Sequence, residues 1–495
     1  MSKKYLLGID NGGTVSKAAL FDFDGRQTVK KSVRIPMSTP RQGFTQRRME
    51  DIRDKNYELI RAACEECDGE IVAVGFSGHG KGLYLLGDNG EFIYDGIGST
   101  DSRALSYELM WKKDGTAERV YEKTAQKIMA CQPVALLRWF KDNEREVYNR
   151  IRYVFSVKDF VRWTLCGEIF AEYTDVSGTN LLNLKTRSYD DGLLYEFGIE
   201  EMSGCLPEIR SSGQICGYVT KEASRLTGLR EGTPVAGGMF DIDACALAMG
   251  SIRPGDMCVI AGTWAINEYV SDRICDDHTV SMNSVFCDPR YYLAEESSAA
   301  SCGNLEWVKA LTGIDSYAEL DRLAESVDPA KHSVLYTPFL YASNENPLAK
   351  ASFIGLSGNH TRADVIRAVY EGVAFSHRTH VNALLKSRRD VPEKLRLAGG
   401  VVNSPVWTRI FTDVLNIPAE IIENDELGAK GAAMSAGIAA GVYKDCEDAA
   451  DKCVSVSSIV APNPEGVRIY GKKYEKYRAA VDALDSAWEK LSEEI

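Results

Sequence analysis

Apolar and polar residues alternate along the chain in blocks, and the order of the blocks repeats once. Residues 4–9, "KYLLGI", and 17–23, "KAALFDF", are apolar runs of strand length. Between them Asp10-Asn11-Gly12-Gly13-Thr14 makes a tight polar loop. Asp24-Gly25 marks a turn, and "TVKKSVRIP" reads as a third strand. The apolar positions of "MEDIRDKNYELIRAACEEC" fall at helical spacing, and "EIVAVGFSG" reads as a buried strand. Asn-Gly between the apolar runs of "LYLLGDNGEFIYD" predicts a hairpin. Residues from about 105 to 235 read as mainly helical, and "TPVAGGMFD" as a buried strand ending in glycines. Then the pattern restarts. "MCVIAGTWAINEYVSD" is again strand, Gly-Thr turn, strand, and "LRLAGGVV" is a strand entering a Gly-Gly turn. The chain therefore reads as a duplicated α/β architecture, with residues 1–247 and 248–495 as its two domains.

Near the end, Tyr470, Tyr474, Tyr477, Val481, Leu484, Trp488, Leu491 and Ile495 recur at alternating spacings of four and three, one apolar stripe on a helix. A coiled-coil dimerisation helix would show such a stripe. So would a terminal helix packed on its own domain, which the short, tyrosine-rich pattern favours.

Composition narrows the class. A chain of 495 residues exceeds the ~250–300 residues at which single cores stop growing, so two domains are the natural division. A net charge of −13 with no basic run opposes nucleic-acid binding. The apolar stretch in "MSKKYLLGID" is too short for a signal peptide, and no apolar run approaches the ~20 residues of a membrane span. The expectation is a cytoplasmic protein with neither membrane nor nucleic acid as partner. Thirteen cysteines lie singly in mostly apolar settings, as reduced thiols do. Cys64 and Cys67 have CxxC spacing but lack the second ligand pair a zinc site needs, so they read as a helix end. His377 and His380, one helical turn apart, lack a clear third ligand and read as hydrogen-bonded helix residues.

Four constellations carry chemistry. In Asp10–Thr14, two glycines let backbone N–H groups approach an anion, Thr14 adds a hydroxyl donor, and a carboxylate beside phosphates suits a hydrated Mg²⁺. Gly262-Thr263 repeats the device in the second half. Gly399-Gly400 leaves a bare backbone for a flat nucleobase, and Ser404-Pro405 starts the next helix, with the small-residue helix "ELGAKGAAMSAGIAAG" expected near the same place. Asp241, ending a buried strand, is placed to act as a base toward a hydroxyl, with Asp243 as its rival. "GFSGHGKG" matches a P-loop except at its last position, where Gly82 replaces Ser or Thr, and a strand rather than a helix follows. Its glycines with His79 and Lys81 suit a polyol or sugar site instead.

With these residues assembled, the chain resembles the FGGY family of carbohydrate kinases, in the actin/Hsp70/hexokinase-like ATPase superfamily. The resemblance covers nearly the whole chain. It rests on "GIDNGGT", "KDFVRWTLCGE", "TDVSGTNLL", "SFIGLSGNHTRADVIRAVYEGVAF" and "AGGVVNSPVWTRIFTDVLN", in that order. It implies an α/β fold of two ribonuclease H-like domains with a cleft between them, ATP and Mg²⁺ as cofactors, a small sugar as substrate, and often a homodimer. Carried over by position, Asn11, Gly12, Gly13, Thr14 and Lys17 would contact ATP, and Asp10 would hold Mg²⁺ through water. Gly262 and Thr263 would contact the phosphates, and Gly399, Gly400 and Asn403 would line the adenosine pocket. Asp101 and Arg103 of "STDSRA", with His79, Gly80, Lys81 and Asp241, would bind the sugar, and Asp241 would be the catalytic base.

Two departures bear on this. Xylulokinases usually carry Gln-Met-His-Gly where this chain has His79-Gly80-Lys81-Gly82, and "GHGKGLYLL" and "GGMFD" are similar to the L-xylulose kinase branch. The spacing to Gly250 is longer than usual and favours Asp243. Counting from Val235 through the strand, and the place after the glycines, favours Asp241. The expected reaction is ATP-dependent phosphorylation of a terminal hydroxyl of a ketopentose, L-xylulose first, with D-xylulose, ribulose, erythritol or glycerol as alternative acceptors. A nucleotide-switched binding protein is the reading from another class.

Overall fold

The computed structural model describes residues 3–341, 343–388, 390–422 and 426–492. The chain divides into two compact units. The first takes Met1–Pro254, Val270–Ala294 and Asp425–Val454, and the second takes Gly255–Tyr269, Glu295–Asn424 and Ser455–Ile495. Strands that carry the argument are β1 (Lys4–Asn11), β2 (Val15–Phe21), β3 (Gln27–Arg34), β4 (Glu70–Gly78), β5 (Ile215–Tyr218), β6 (Pro234–Ala236), β7 (Met257–Ala261), β8 (Ala265–Ser271), β9 (Leu395–Gly399), β10 (Ala419–Ile422) and β11 (Val456–Val460). The helices are α1 (Met49–Glu65), α2 (Asp241–Met249), α3 (Arg362–Ser387), α4 (Leu427–Ala439) and α5 (Pro464–Ser492). Among the described residues no helix is long and apolar enough to cross a membrane.

In the first unit the sheet runs β5–β6–β4–β1–β2–β3. β1, β2 and β3 form an antiparallel meander, α1 crosses over, and β4 returns parallel to β1. β6 is parallel to β4, and β5 closes the edge antiparallel. The second unit repeats these senses in the run β8–β7–β9–β10–β11: an antiparallel hairpin, two parallel strands, an antiparallel edge. The duplication legible in the strand–turn–strand pattern is thus a duplication of sheet topology.

A close approach fixes the first unit's layers. Gly8 of β1 and Gly75 of β4 are register partners. A Cβ on Gly8 would lie 1.8 Å from the Ala429 carbonyl oxygen, and one on Gly75 would lie 1.9 Å from that of Ala432. On the far side of α4, a Cβ on Gly431 would lie 2.0 Å from the Ala244 carbonyl oxygen of α2. The small residues of α4 therefore serve the first unit's own sheet, where its backbone rests on β1 and β4 without intervening side chains.

The predicted hairpin over "LYLLGDNGEFIYD" forms only its turn. Asn89 and Gly90 take positive φ, and Leu86 makes a single bridge to Phe92. Tyr84–Leu86 pairs instead with the distant strand Tyr153–Phe155.

In the second unit α5 packs on α3. Phe375 meets the rings of Tyr470, Tyr474 and Tyr477, and Tyr470, Tyr477, Val481 and Trp488 are buried. The tyrosine end of the stripe is thus packed against its own unit, whereas Leu491 is exposed; Ile495 lies outside the described residues. A buried charge cluster locks this packing: Glu371 of α3 pairs with Lys473 of α5 and, at 2.8 Å, with Arg367. Burial pushes the Glu371 carboxyl up, but His332, Lys473 and Arg367 outweigh it and hold it at about 2. Burial holds Lys473 below its ordinary value despite Glu371, so the pair's charged state rests on the carboxylate, with its several cationic and donating neighbours. Glu371→Gln should cost about 3–5 kcal/mol, since it strands a buried lysine. The sign with pH follows from the depressed value. The stabilisation is complete above about 4.5, the carboxyl's ordinary value, and is lost as pH falls toward about 2. Urea unfolding of both proteins at pH 7 and pH 3 should show a gap that narrows in acid.

Candidate active site

Three loops leave the first unit's sheet at the carboxyl end of its parallel strands. β1 ends at Asn11, opposite Gly78 at the end of β4. Met239 and Phe240 pair with Ser77 and Gly78, so Asp241 emerges beside them. The His79 N–H donates to the Asn11 carbonyl at 3.0 Å. A Cβ on Gly80 would fall 2.3 Å from the Phe240 ring, so that position must be bare for the second and third loops to touch. Carboxyl ends of parallel strands are where open α/β sheets bind ligands. This end of the sheet gathers Asp10, Asn11, Gly12, Gly13, Thr14, His79, Gly80, Lys81 and Asp241.

The first loop has the features of a phosphate and metal site. Asp10 accepts from the Ser77 hydroxyl at 2.7 Å, and burial raises its pKa although Ser77 and Lys17 oppose the shift. Asn11 is 1% exposed; its side-chain Oδ1 accepts from the Ser16 hydroxyl at 3.0 Å, while its Nδ2 has no hydrogen-bond partner among the described residues. A buried amide N–H₂ left unpaired is costly unless a ligand oxygen takes it. Gly13 and Thr14 are exposed. These residues fit a metal-bound polyphosphate: a buried carboxylate, an unsatisfied donor and open backbone. Lys17 pairs with Glu426 at 2.6 Å, just before α4. Burial works against the Lys17 charge, but Glu426 outweighs it and raises the pKa.

The second loop is largely buried and partly strained. His79 is buried, its Nε2 is 3.0 Å from the Tyr84 hydroxyl, and burial pushes the imidazole down to about 4, so it is neutral near pH 7. Lys81 sits at φ 66°, an uncommon conformation for a side-chain-bearing residue and one that often marks a functional turn. Asp101 and Arg103 are brought together as an ion pair with fully buried side chains. The guanidinium donates to both carboxylate oxygens at 2.9 Å, and also to Gln46 and Tyr94, with Phe44 stacked 4.2 Å away. The Thr45 N–H donates to Asp101 at 2.6 Å. This pair's hydrogen bonds lie largely within the fold.

Asp241 and Asp243 differ in access. Both stand in the first turn of α2, where the helix dipole favours negative charge. Asp241 is half-buried, whereas Asp243 is 0% exposed and accepts from the Cys287 N–H at 3.1 Å. A base must touch its substrate, so Asp241 is the better placed of the two.

Sequence reasoning missed what holds Asp241 there. The Phe240 N–H donates to the Thr174 hydroxyl at 2.8 Å, and Thr174 donates to Glu172 at 2.7 Å. Glu172 belongs to a fully buried cluster with Lys158, Asp159, Arg162 and Asp175. Burial, against the Lys158 charge, pushes the Asp175 carboxyl up to about 7. The signal available was the density of charge inside the apolar segments "VKDFVRW" and "EYTDVSG".

The second unit brings its own candidates together. Gly262 and Thr263 join β7 to β8, with Thr263 exposed. Gly399 takes φ 94°, and a Cβ there would lie 2.4 Å from the Ala261 carbonyl oxygen, so the Gly399-Gly400 turn abuts the hairpin. Asn403 ends the short helical turn Gly400–Asn403 and is exposed. Cys302, which sequence reasoning passed over, ties the two: its N–H donates to the Gly262 carbonyl at 2.9 Å, and its Sγ is 3.4 Å from where a Gly400 Cβ would be. His377 and His380 are buried helix residues, paired with Ser301 and Asn267 and with Ser298 and Glu296.

The family model for the FGGY family of carbohydrate kinases, N-terminal domain, matches residues 5–248, and its C-terminal counterpart matches residues 257–440. The L-xylulose/3-keto-L-gulonate kinase of Escherichia coli K12 is 34% identical over 494 residues, covering 99% of both chains. A protein named as probable L-xylulose kinase from Pasteurella multocida is 34% identical over 485 residues, 97% of this chain and 99% of that one. In fold, the ligand-bound xylulose kinase from Lactobacillus acidophilus superposes with a TM-score of 0.92 at 23% identity, covering 99% of this chain and 100% of that one.

Proposed function

The chain belongs to the FGGY family of carbohydrate kinases and is an ATP-dependent sugar kinase. From that membership we propose that it transfers the γ-phosphate of MgATP to a terminal hydroxyl of a ketopentose, L-xylulose, with Asp241 as general base. The observation that carries the reading is the shared carboxyl end of the parallel strands, where the Asp10–Thr14 loop, the His79–Lys81 loop and Asp241 emerge together. The names of the full-length relatives support L-xylulose as acceptor.

In this reading Asn11 Nδ2 and the backbone of Gly12, Gly13 and Thr14 bind phosphate oxygens, with Lys17 nearby. Gly262 and Thr263 supply the second phosphate hairpin, and Gly399, Gly400 and Asn403 line the adenosine site. Asp10 would hold Mg²⁺, which when bound would neutralise charge on the phosphates. Neutral His79, with Gly80 and Lys81, reads the sugar hydroxyls, while the Asp101–Arg103 pair, fully buried and bonded within the fold, acts as support for the site rather than as a sugar contact. Asp241 takes the proton from the attacking hydroxyl at its carboxylate. Residues 1–247 then carry the sugar-binding loop, Asp241 and the first phosphate hairpin, and 248–495 the second hairpin and the adenosine site.

ADP release with MgATP across ketopentoses, polyols and hexuloses, with a no-sugar control, tests this. Turnover should be greatest with L-xylulose. Greater turnover with D-xylulose, ribulose, erythritol or glycerol would replace the substrate and keep the mechanism, and sugar-independent release would overturn both.

A further inference from the structure

Two cysteines that the proposed chemistry does not use lie next to its machinery. The sulfurs of Cys287 and Cys446 are 4.0 Å apart. Both line a pocket of about 360 Å³ with Gln214, Arg290, Ser435 and Lys444, which admits a small solute to the thiols. Cys446 is half-buried and opens the helix Cys446–Cys453, capped by Asp445. Cys287 is buried, and burial, together with the contact to Cys446, pushes its thiol well up. Cys446 is therefore the sulfur that reacts first.

We propose that Cys287 and Cys446 form a reversible disulfide, closed by a hydroperoxide and reopened by a thiol, and that closure slows sugar phosphorylation through Asp243. The Cys446 thiolate attacks a peroxide oxygen. An S–O bond forms, the O–O bond breaks, and the departing hydroxide (alkoxide from an organic hydroperoxide) leaves as water or alcohol after taking a proton. The Cys287 sulfur then displaces hydroxide from the resulting sulfenic acid; the S–S bond forms, and the Cys287 proton leaves with that hydroxide as water. Two thiols are oxidised by two electrons, and one hydroperoxide is reduced.

Closure moves Cys287. A disulfide needs sulfurs about 2.05 Å apart, roughly half their present separation. Cys446 is anchored by a helix whose Ala449, Ala450 and Cys453 are buried. Cys287 lies in a turn closed by bonds between Phe286, Asp288 and Tyr291. That turn's Cys287 N–H holds Asp243 Oδ1, two residues from Asp241. Shifting it disturbs the first turn of α2. This last link rests on the assignment of Asp241 as base.

The test treats the reduced full-length protein with hydrogen peroxide, maps disulfides by peptide mass, and measures sugar-dependent ADP release before and after dithiothreitol. A Cys287–Cys446 peptide should appear, with turnover falling about tenfold, equivalent to some 1.4 kcal/mol in the barrier, and returning on reduction. Cys446→Ser, and separately Cys287→Ser, should keep turnover under the same treatment. Oxidised thiols without that peptide would overturn the site, and the peptide with unchanged turnover would overturn the switch. Because the cross-link is read by mass without substrate, a wrong assignment of Asp241 would leave the site standing and remove only the explanation of the lost turnover.

Discussion

Asp241→Asn is expected to lower sugar phosphorylation about 10²–10⁴-fold, the usual contribution of a positioned general base, while sugar binding persists. The amide keeps the shape and cannot take the hydroxyl proton. The half-buried first-turn position and the Thr174–Phe240 bond that fixes the strand end remain in the variant. Asp243→Asn is the informative partner. Asp243 is fully buried and accepts from Cys287, so its loss should lower stability more than turnover. Stopped-assay kcat, sugar titration by intrinsic fluorescence and thermal unfolding of both variants separate the roles. Near-normal kcat in Asp241→Asn with a collapse of kcat in Asp243→Asn at unchanged unfolding temperature would reverse the assignment.

The second large effect is structural. Gly8→Ala places a methyl 1.8 Å from the Ala429 carbonyl oxygen, and backbone on both sides leaves no flexible side chain to yield. The helix α4 must lift from β1 and β4. Overpacking commonly costs about 1–3 kcal/mol and occasionally more, and a clash with backbone belongs at or above the upper end. At about 2–4 °C per kcal/mol for a unit of this size, the unfolding temperature should fall by roughly 6–12 °C. Function should suffer as well, because a Cβ on Gly428 would sit 2.7 Å from the Asp10 carboxyl carbon, so the start of α4 also shapes the phosphate loop. Calorimetry and the KM for ATP read the two consequences. An unfolding temperature within a degree of wild type would show that the sheet and helix do not meet as described.

The contrast between these two predictions follows what a sequence can express. The Asp10–Thr14 and Gly262-Thr263 hairpins were legible because turn chemistry is local: glycine, aspartate and threonine must stand between two apolar runs. Ser404-Pro405 announced its helix for the same reason; the Ser404 hydroxyl accepts from the Trp407 N–H and caps Pro405–Leu415. Asp241 was legible by its place after a buried strand. Ser77, which bonds Asp10, is also 3.0 Å from the carbonyl of Gly428, a residue 351 positions away, and nothing local encodes that. The glycines of β1 and β4 seat a helix, and nothing in the strand pattern around them announces it. The small-residue helix was expected beside Gly399-Gly400, whereas its contacts with β1, β4 and α2 are set by backbone approach between distant segments. The partner of Tyr84–Leu86 was misjudged because a local Asn-Gly turn outshone a pairing made across some 70 residues. The cluster of Lys158, Asp159, Arg162, Glu172 and Asp175 was hidden because a charge reads as solvated until its counter-charges are located.

The central claim is transfer of phosphate to a sugar rather than to water, and product analysis tests it most directly. L-Xylulose and MgATP are incubated with the protein, and the mixture is followed by ³¹P and ¹³C NMR. The account predicts one new phosphomonoester resonance, coupled to a single terminal methylene of the ketose and growing one-for-one with ADP. ADP accompanied only by inorganic phosphate, at the same rate with and without sugar, would contradict it.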